Sequence, residues 1–158
     1  MKQLNWATLG CGVIANELTL ALSKEGRTLY SVANRTHEKA QAFAQKYGIS
    51  KVYDNIDDVF YDPDVDIIYI STPHNTHINY LRKALSNGKH VLCEKSITLN
   101  ITELDEAISL AKANNVILAE AMTIYHMPVY KKLNKIISSG QIGRLNLIQF
   151  NLVSNKDY

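Results

Sequence analysis

Short apolar runs alternate with amphipathic stretches along most of this chain. Residues 4–9 form a compact apolar run that ends at Gly10 and reads as a strand. Beyond the glycines, Val13, Ile14, Leu18, Ala21 and Leu22 recur at helical spacing, with Gly26 just past the end. Residues 29–33 give a second strand. Thr36 is placed to cap a helix whose Ala40, Phe43, Ala44 and Tyr47 share one face and which Gly48 stops. Residues 52–53 are a short strand candidate and residues 57–60 a helical turn. Ile67–Ile70 is the next strand, with Pro73 interrupting just beyond it. A helix from about His77 to Ser86 closes at Asn87-Gly88, and residues 91–93 follow as a strand. Asn100 or Thr102 caps a helix carrying Leu104, Ala107, Ile108 and Ala111, and residues 116–119 make the sixth strand. Strands alternating with helices in this way imply right-handed crossovers and a parallel sheet covered on both faces. The predicted fold is doubly wound α/β.

The last forty residues behave differently. Pro128 opens a helix through about Ser138, and Gly140 and Gly143 break it. Residues 145–153 then carry apolar side chains on both alternating faces, as one long strand would. A strand this apolar needs neighbours, and no later segment supplies them. The sequence therefore reads as cut off, with residues 144–155 expected to lack order or to pair with a second copy through an exposed edge.

Composition narrows the function classes. The 158 residues carry 17 Lys+Arg against 15 Asp+Glu, a net charge of +2, and no basic run concentrates it. That argues against a nucleic-acid partner. With 46% apolar and 20% charged residues the chain has an ordinary globular balance. It shows no signal peptide and no apolar run of about 18 residues, so a cytoplasmic setting without membrane contact is expected. Cys11 and Cys93 are differently flanked ends of apolar runs; they read as small buried hydrophobes, not as a disulfide or a metal motif.

Candidate chemistry begins at Gly10-Cys11-Gly12-Val13-Ile14-Ala15, which matches the G-x-G-x-x-G/A fingerprint. The first glycine permits a tight turn, the second lets backbone approach a diphosphate, and Ala15 lets the helix pack close to the strand. A helix starting here aims free N–H groups and its positive dipole end at the phosphates. Other α/β proteins, methyltransferases included, carry such turns, but a position between the first strand and the first helix favours a dinucleotide. NAD binders place an acidic residue at the end of the second strand, where this chain has Ala33-Asn34-Arg35-Thr36. Neutral Asn34 does not repel a 2′-phosphate, and Arg35 is suited to pair with it or to stack on adenine. NADP is favoured over NAD, the bland reading of Arg35 being a solvated side chain at a helix start.

Ser71-Thr72-Pro73-His74-Asn75-Thr76-His77 follows the fourth strand and Cys93-Glu94-Lys95-Ser96 the fifth. Both lie at carboxyl ends of parallel strands, where open α/β sheets bind ligands. Elsewhere a Glu-Lys pair is usually solvated surface, but a lysine in a partly dry cleft can exchange a proton near neutrality. Lys95 is the candidate proton donor and acceptor, with Glu94 orienting it or bonding the cofactor. His74 and His77 lack a carboxylate at ligand spacing, so no metal is expected.

These segments, with Glu120-Ala121-Met122 and Gly140-Gln141-Ile142-Gly143-Arg144, resemble the glucose-fructose oxidoreductase/inositol dehydrogenase/MocA (Gfo/Idh/MocA) family over essentially the whole chain. The texture of Ala33-Asn34-Arg35 and residues 118–122 is similar to the dihydrodiol and D-xylose dehydrogenase branch. The resemblance implies an NAD(P)-dependent oxidoreductase moving hydride between nicotinamide and a sugar-like, polyol or diol alcohol or its carbonyl. Gly10, Cys11, Gly12, Val13 and Ile14 of the turn, with Asn34 and Arg35, are the candidate cofactor-binding residues, and the resemblance implies that Thr72, Pro73, Asn75 and His77 border the cofactor. Glu94 and Lys95 would sit near the nicotinamide, with Lys95 catalytic. The chain departs from the family after that lysine, where a proline is usual and Ser96 stands here. The resemblance further implies a dinucleotide-binding domain over 1–122, and a linking helix and first strand of an incomplete α+β substrate domain over 123–158. On this reading the 158-residue chain binds cofactor but turns over little. The alternative is a non-catalytic dinucleotide-binding or sensing module.

Overall fold

The computed structural model describes residues 3–149 and 151. It divides into two units, Met1–Ala121 and Met122–Tyr158. In the first, the described residues form one sheet of six strands: β1 (Trp6–Leu9), β2 (Ser31–Ala33), β3 (Lys51–Val52), β4 (Ile67–Ile70), β5 (His90–Cys93) and β6 (Leu118–Glu120). All pairings are parallel, and the order across the sheet is β3-β2-β1-β4-β5-β6. Helices α1 (Val13–Lys24), α2 (His37–Tyr47), α3 (Asp58–Tyr61), α4 (His77–Ser86) and α5 (Ile101–Ala113) connect the strands. This is the doubly wound fold read from the sequence.

Strand alternation sorts the core onto two faces. Ala7, Leu9, Ile68, Ile70, Val91 and Cys93 pack against Leu81, Leu85 and Ala107. On the other face Val32 packs with Ala15 and Leu22 of α1 and with Phe43 and Ala44 of α2. Burying each of these large apolar side chains contributes roughly 1.5–3 kcal/mol.

Helix boundaries follow local chemistry. Gly48 ends α2 in the left-handed region at φ 66°. Thr36 holds the N-cap position of α2, but its side chain makes no capping bond there. For α5 the cap is Asn100, whose Oδ1 accepts the Glu103 N–H at 2.9 Å, while Glu103 Oε2 accepts the Leu99 N–H at 3.1 Å. Thr102 lies inside that helix.

A polar network anchors the amino-terminal rim of the sheet. The Tyr53 hydroxyl donates to Asp62 Oδ2 at 2.6 Å and has Ser31 Oγ within 3.1 Å. Lys51 Nζ pairs with the same carboxylate oxygen at 2.6 Å. Buried Lys89 donates through Nζ to the carbonyls of Asp62 (2.5 Å) and Val65 (2.9 Å).

In the second unit, a short 3-10 turn (Thr123–His126) precedes α6 (Pro128–Ser138), which begins on its proline as expected. The long strand expected over 145–153 is corrected by the structure. Residues 145–149 and 151 form no strand, and the remainder lies outside the described residues. An alternating pattern becomes a strand only when a neighbour completes its hydrogen-bond ladder, and no described residue pairs with this stretch.

Candidate dinucleotide-binding site

Gly10 turns the chain out of β1 at φ 111°. A Cβ there would stand 2.8 Å from Ser71 Oγ and 3.0 Å from the Ser71 carbonyl oxygen, so only glycine fits beside the β4 turn. Backbone bonds knit the three strand ends: Gly10 N–H donates to Ala33 O and Ser71 N–H to Leu9 O, both at 2.9 Å. Gly12 is extended at φ −77° and is the N-cap of α1, where no side chain caps the helix and no acidic residue stands in its first turn. A Cβ on Gly12 would meet no protein atom within 4 Å. The first turn of α1 therefore presents amide donors to open space, the arrangement that receives phosphate. Val13 is 74% exposed at its mouth, while Ala15 is fully buried against the sheet.

That space is a cleft of about 290 Å³. Gly10, Cys11 and Gly12 form one wall, Asn34, Arg35, Thr36 and Lys39 a second, and Ser71, Thr72, Pro73 and Thr76 a third. It opens over the carboxyl ends of β2, β1 and β4, where the strand order reverses and ligands of open α/β sheets bind. Asn34 Nδ2 is committed to Thr36 O at 2.9 Å and shapes the turn. Lys39 was not singled out by the sequence; it stands in the first turn of α2 and joins Arg35 on the same wall. Burial pushes the half-buried Cys11 thiol up to about 11, against a weaker pull downward from Lys39. The donors, the Cβ-free approach and the two cations suit a diphosphate-bearing ligand with additional negative charge.

The turn after β4 is braced by Thr76, whose Oγ1 donates to Pro73 O at 2.6 Å and lies 2.8 Å from Thr72 Oγ1. Asn75 is exposed on the 3-10 turn His74–Thr76, outside the cleft lining. His77, expected to border the cofactor, is fully enclosed. Its Nδ1 lies 2.9 Å from Ser96 O and its Nε2 2.9 Å from Thr72 O. Both ring nitrogens are taken up by backbone, so the side chain ties the loop after β4 to the loop after β5. His74 stacks on it at 5.6 Å, and His74 Nδ1 accepts the Ser96 N–H at 3.1 Å. The Lys95–Ser96 peptide is cis.

Glu94 and Lys95 stand at the carboxyl end of β5, outside the cleft lining. Glu94 is half-buried, and its Oε1 accepts the Tyr69 hydroxyl at 2.6 Å. Lys95 is exposed, and among the described residues its amine has no hydrogen-bond or ion-pair partner. Burial raises the Tyr69 phenol, and the Glu94 carboxylate adds to this; burial also pushes the Cys93 thiol up to about 12. Among the described residues no group of three or more His, Cys, Asp or Glu is arranged to hold a metal ion. None of the described helices is long and apolar enough to cross a membrane.

Comparison with known proteins agrees with this geometry. Residues 4–122 match the Gfo/Idh/MocA family model, described as an oxidoreductase family with an NAD-binding Rossmann fold. The chain is 34% identical over 147 residues to a trans-1,2-dihydrobenzene-1,2-diol dehydrogenase from Xenopus tropicalis, covering 91% of this chain and 44% of that one. It thus spans less than half the length of the curated relatives it matches. An NAD binding oxidoreductase from Klebsiella pneumoniae superposes with a TM-score of 0.83 at 26% identity, over 90% of this chain and 40% of that one. A 3-ketoreductase from Actinomadura kijaniata, solved with NADP and TDP-benzene, superposes at 0.81 with 25% identity, over 88% and 43%.

Proposed function

Because the chain belongs to the Gfo/Idh/MocA oxidoreductase family with the NAD-binding Rossmann fold, we propose that it is the cofactor-holding part of an NAD(P)-dependent oxidoreductase acting on a diol or sugar-like alcohol or its carbonyl. One observation carries this reading: the uncapped start of α1 at Gly12, where a ligand meets amide donors and no side chain intervenes. Gly10, Cys11, Gly12, Val13 and Ile14 hold the diphosphate through backbone. Asn34 and Arg35, joined by Lys39, receive the adenosine end. With no carboxylate among the described residues of that wall to accept a ribose 2′-hydroxyl, and two cations on it, NADP is favoured over NAD. Thr72, Pro73 and Asn75 border the cofactor, and His77 holds that border in place through Thr72 and Ser96.

The bound cofactor supplies or accepts the hydride. Lys95 gives a proton to the substrate oxygen, or takes it, through an amine that no described residue engages, and Glu94 bonds the cofactor or orients that lysine. Similarity to a dihydrodiol dehydrogenase supports the diol class of substrate. Residues 1–122 are assigned to cofactor binding and 123–158 to the link toward a substrate domain. Lys95 is exposed with no enclosing pocket among the described residues, so the 158-residue chain binds cofactor with little turnover. Two unpaired thiols accord with a cytoplasmic setting.

Titrating NADPH and NADH against the chain, followed by cofactor fluorescence, tests the assignment. Saturable binding with NADPH the tighter ligand is expected. Failure to bind either would remove it, and binding joined to inactivity of the full-length gene product would favour a non-catalytic sensing module.

A further inference from the structure

Alternation along β4 sends Ile68 and Ile70 into one core cluster and Tyr69 to the opposite face. Tyr69 is in register with Leu92, and the Glu94 N–H donates to Ile70 O at 2.9 Å, so residue 94 follows Leu92 onto that same face. There the Tyr69 hydroxyl, on a residue only 3% exposed, reaches Glu94 Oε1 at 2.6 Å. Glu94 Oε2 lies 3.4 Å from the Lys95 backbone N–H, and no ion pair joins Glu94 to the Lys95 amine among the described residues. A half-buried carboxylate has water available, so the fold does not need this bond to satisfy Glu94. A short charge-assisted bond from a rigid, buried donor adds orientation instead.

We propose that Tyr69 is a positioning residue for the site: its buried hydroxyl fixes the Glu94 carboxylate at the carboxyl end of β5 and keeps it off the neighbouring Lys95 amine. Glu94 is thereby held ready to accept a hydroxyl or amide hydrogen from a bound dinucleotide, and Lys95 stays free for substrate. This rests on the reading that a dinucleotide binds over β1 and β4. Without the phenol, Glu94 must be ordered each time ligand binds. Ordering one long side chain corresponds to roughly three- to tenfold in affinity.

The test is NADPH titration of the whole chain in a double-mutant cycle. Tyr69→Phe should weaken binding about three- to tenfold in the wild-type background and less than about twofold in a Glu94→Ala background. Equal losses in both backgrounds would mean that residue 69 acts through packing, and would overturn the proposal. As a control on folding, 4-aminophenylalanine at position 69 keeps a donor, while 4-methylphenylalanine has similar size and none. The first should restore affinity and the second should not, and matching behaviour would also overturn it. Loss of NADPH and NADH binding in the wild-type chain would remove both this inference and the functional reading; tight binding indifferent to residue 69 removes this inference alone.

Discussion

Alanine at Gly10 and alanine at Gly12 each add one methyl group to the same turn, with opposite expected consequences. At Gly10 the backbone sits at φ 111°, and holding a non-glycine residue in so sparsely populated a region costs about 1–3 kcal/mol. The new Cβ would also lie 2.8 Å from Ser71 Oγ and 3.0 Å from Ser71 O. The hydroxyl can rotate away by giving up its 3.2 Å bond to Leu9 O, but the carbonyl belongs to the backbone leaving β4 and cannot. Overpacking of this kind costs roughly another 1–3 kcal/mol. Gly10→Ala should therefore lose about 2–6 kcal/mol, a large part of the roughly 5–15 kcal/mol that holds a domain together. At Gly12 φ is −77° and the methyl meets no protein atom within 4 Å. Lower unfolded-chain entropy favours alanine by about 0.4–1 kcal/mol. Its poorer N-cap character costs a similar amount, leaving stability within about 0.5 kcal/mol. Binding should fall about ten- to a hundredfold, since the methyl stands where a phosphate oxygen would take an amide hydrogen, a bond worth roughly 1.5–3 kcal/mol. Urea unfolding followed by far-UV circular dichroism and Trp6 fluorescence, together with NADPH titration, measures both quantities. A stable Gly10→Ala variant, or a Gly12→Ala variant that binds within twofold of wild type, would refute the reasoning.

Other outcomes follow from the same structure. Arg35→Ala should weaken NADPH about ten- to a hundredfold, as expected for a lost charged hydrogen bond, and Lys39→Ala should weaken it less. NADH should change less than about twofold in both; equal losses for the two cofactors would contradict the 2′-phosphate assignment. Burial pushes the Asp62 carboxyl up, but Lys51, Tyr53 and the Asp64 N–H together outweigh it and hold the group below its ordinary 3.8. The resulting stabilisation is present above that value and disappears as pH falls through the lower folded-state value. Asp62→Asn should then flatten the acid limb of a stability-against-pH curve below about pH 4, and an unchanged limb would argue against it. With Cys11 raised to about 11 from 9.0, its thiolate fraction at pH 8 is about a hundredfold below that of an ordinary thiol. A disulfide reagent should react about tenfold more slowly once the greater nucleophilicity of the more basic thiolate is counted, and a rate typical of a free thiol would show the burial to be transient.

Local pattern carried far where the deciding contacts were local. Ile67–Ile70 and His77–Ser86 occur at the bounds the apolar spacing predicts. The first strand begins two residues later than its apolar run because Asn5 is already engaged: its N–H donates to Asp66 Oδ2 and its carbonyl accepts from Asp66 and Ile67. The sixth strand is displaced toward Glu120 because Val91 N–H takes Ile117 O, fixing the register from the neighbouring strand. His77 could not be placed from sequence, since its partners, Thr72 O and Ser96 O, come from two different loops. Lys39 looks like any lysine in a helical first turn until the fold turns it toward Cys11 and Gly12. The alternation over 145–153 shows the opposite limit. Periodicity describes which faces are apolar, whereas a strand also requires a partner.

The Asp62 cluster and Lys89 sit at the end of the sheet opposite the glycine turns. That end of the sheet is moored by side chains. At the other end Arg35 and Lys39 are exposed and can change while that framework stays intact, so on the proposed reading substitution there redirects cofactor preference at little risk to the scaffold.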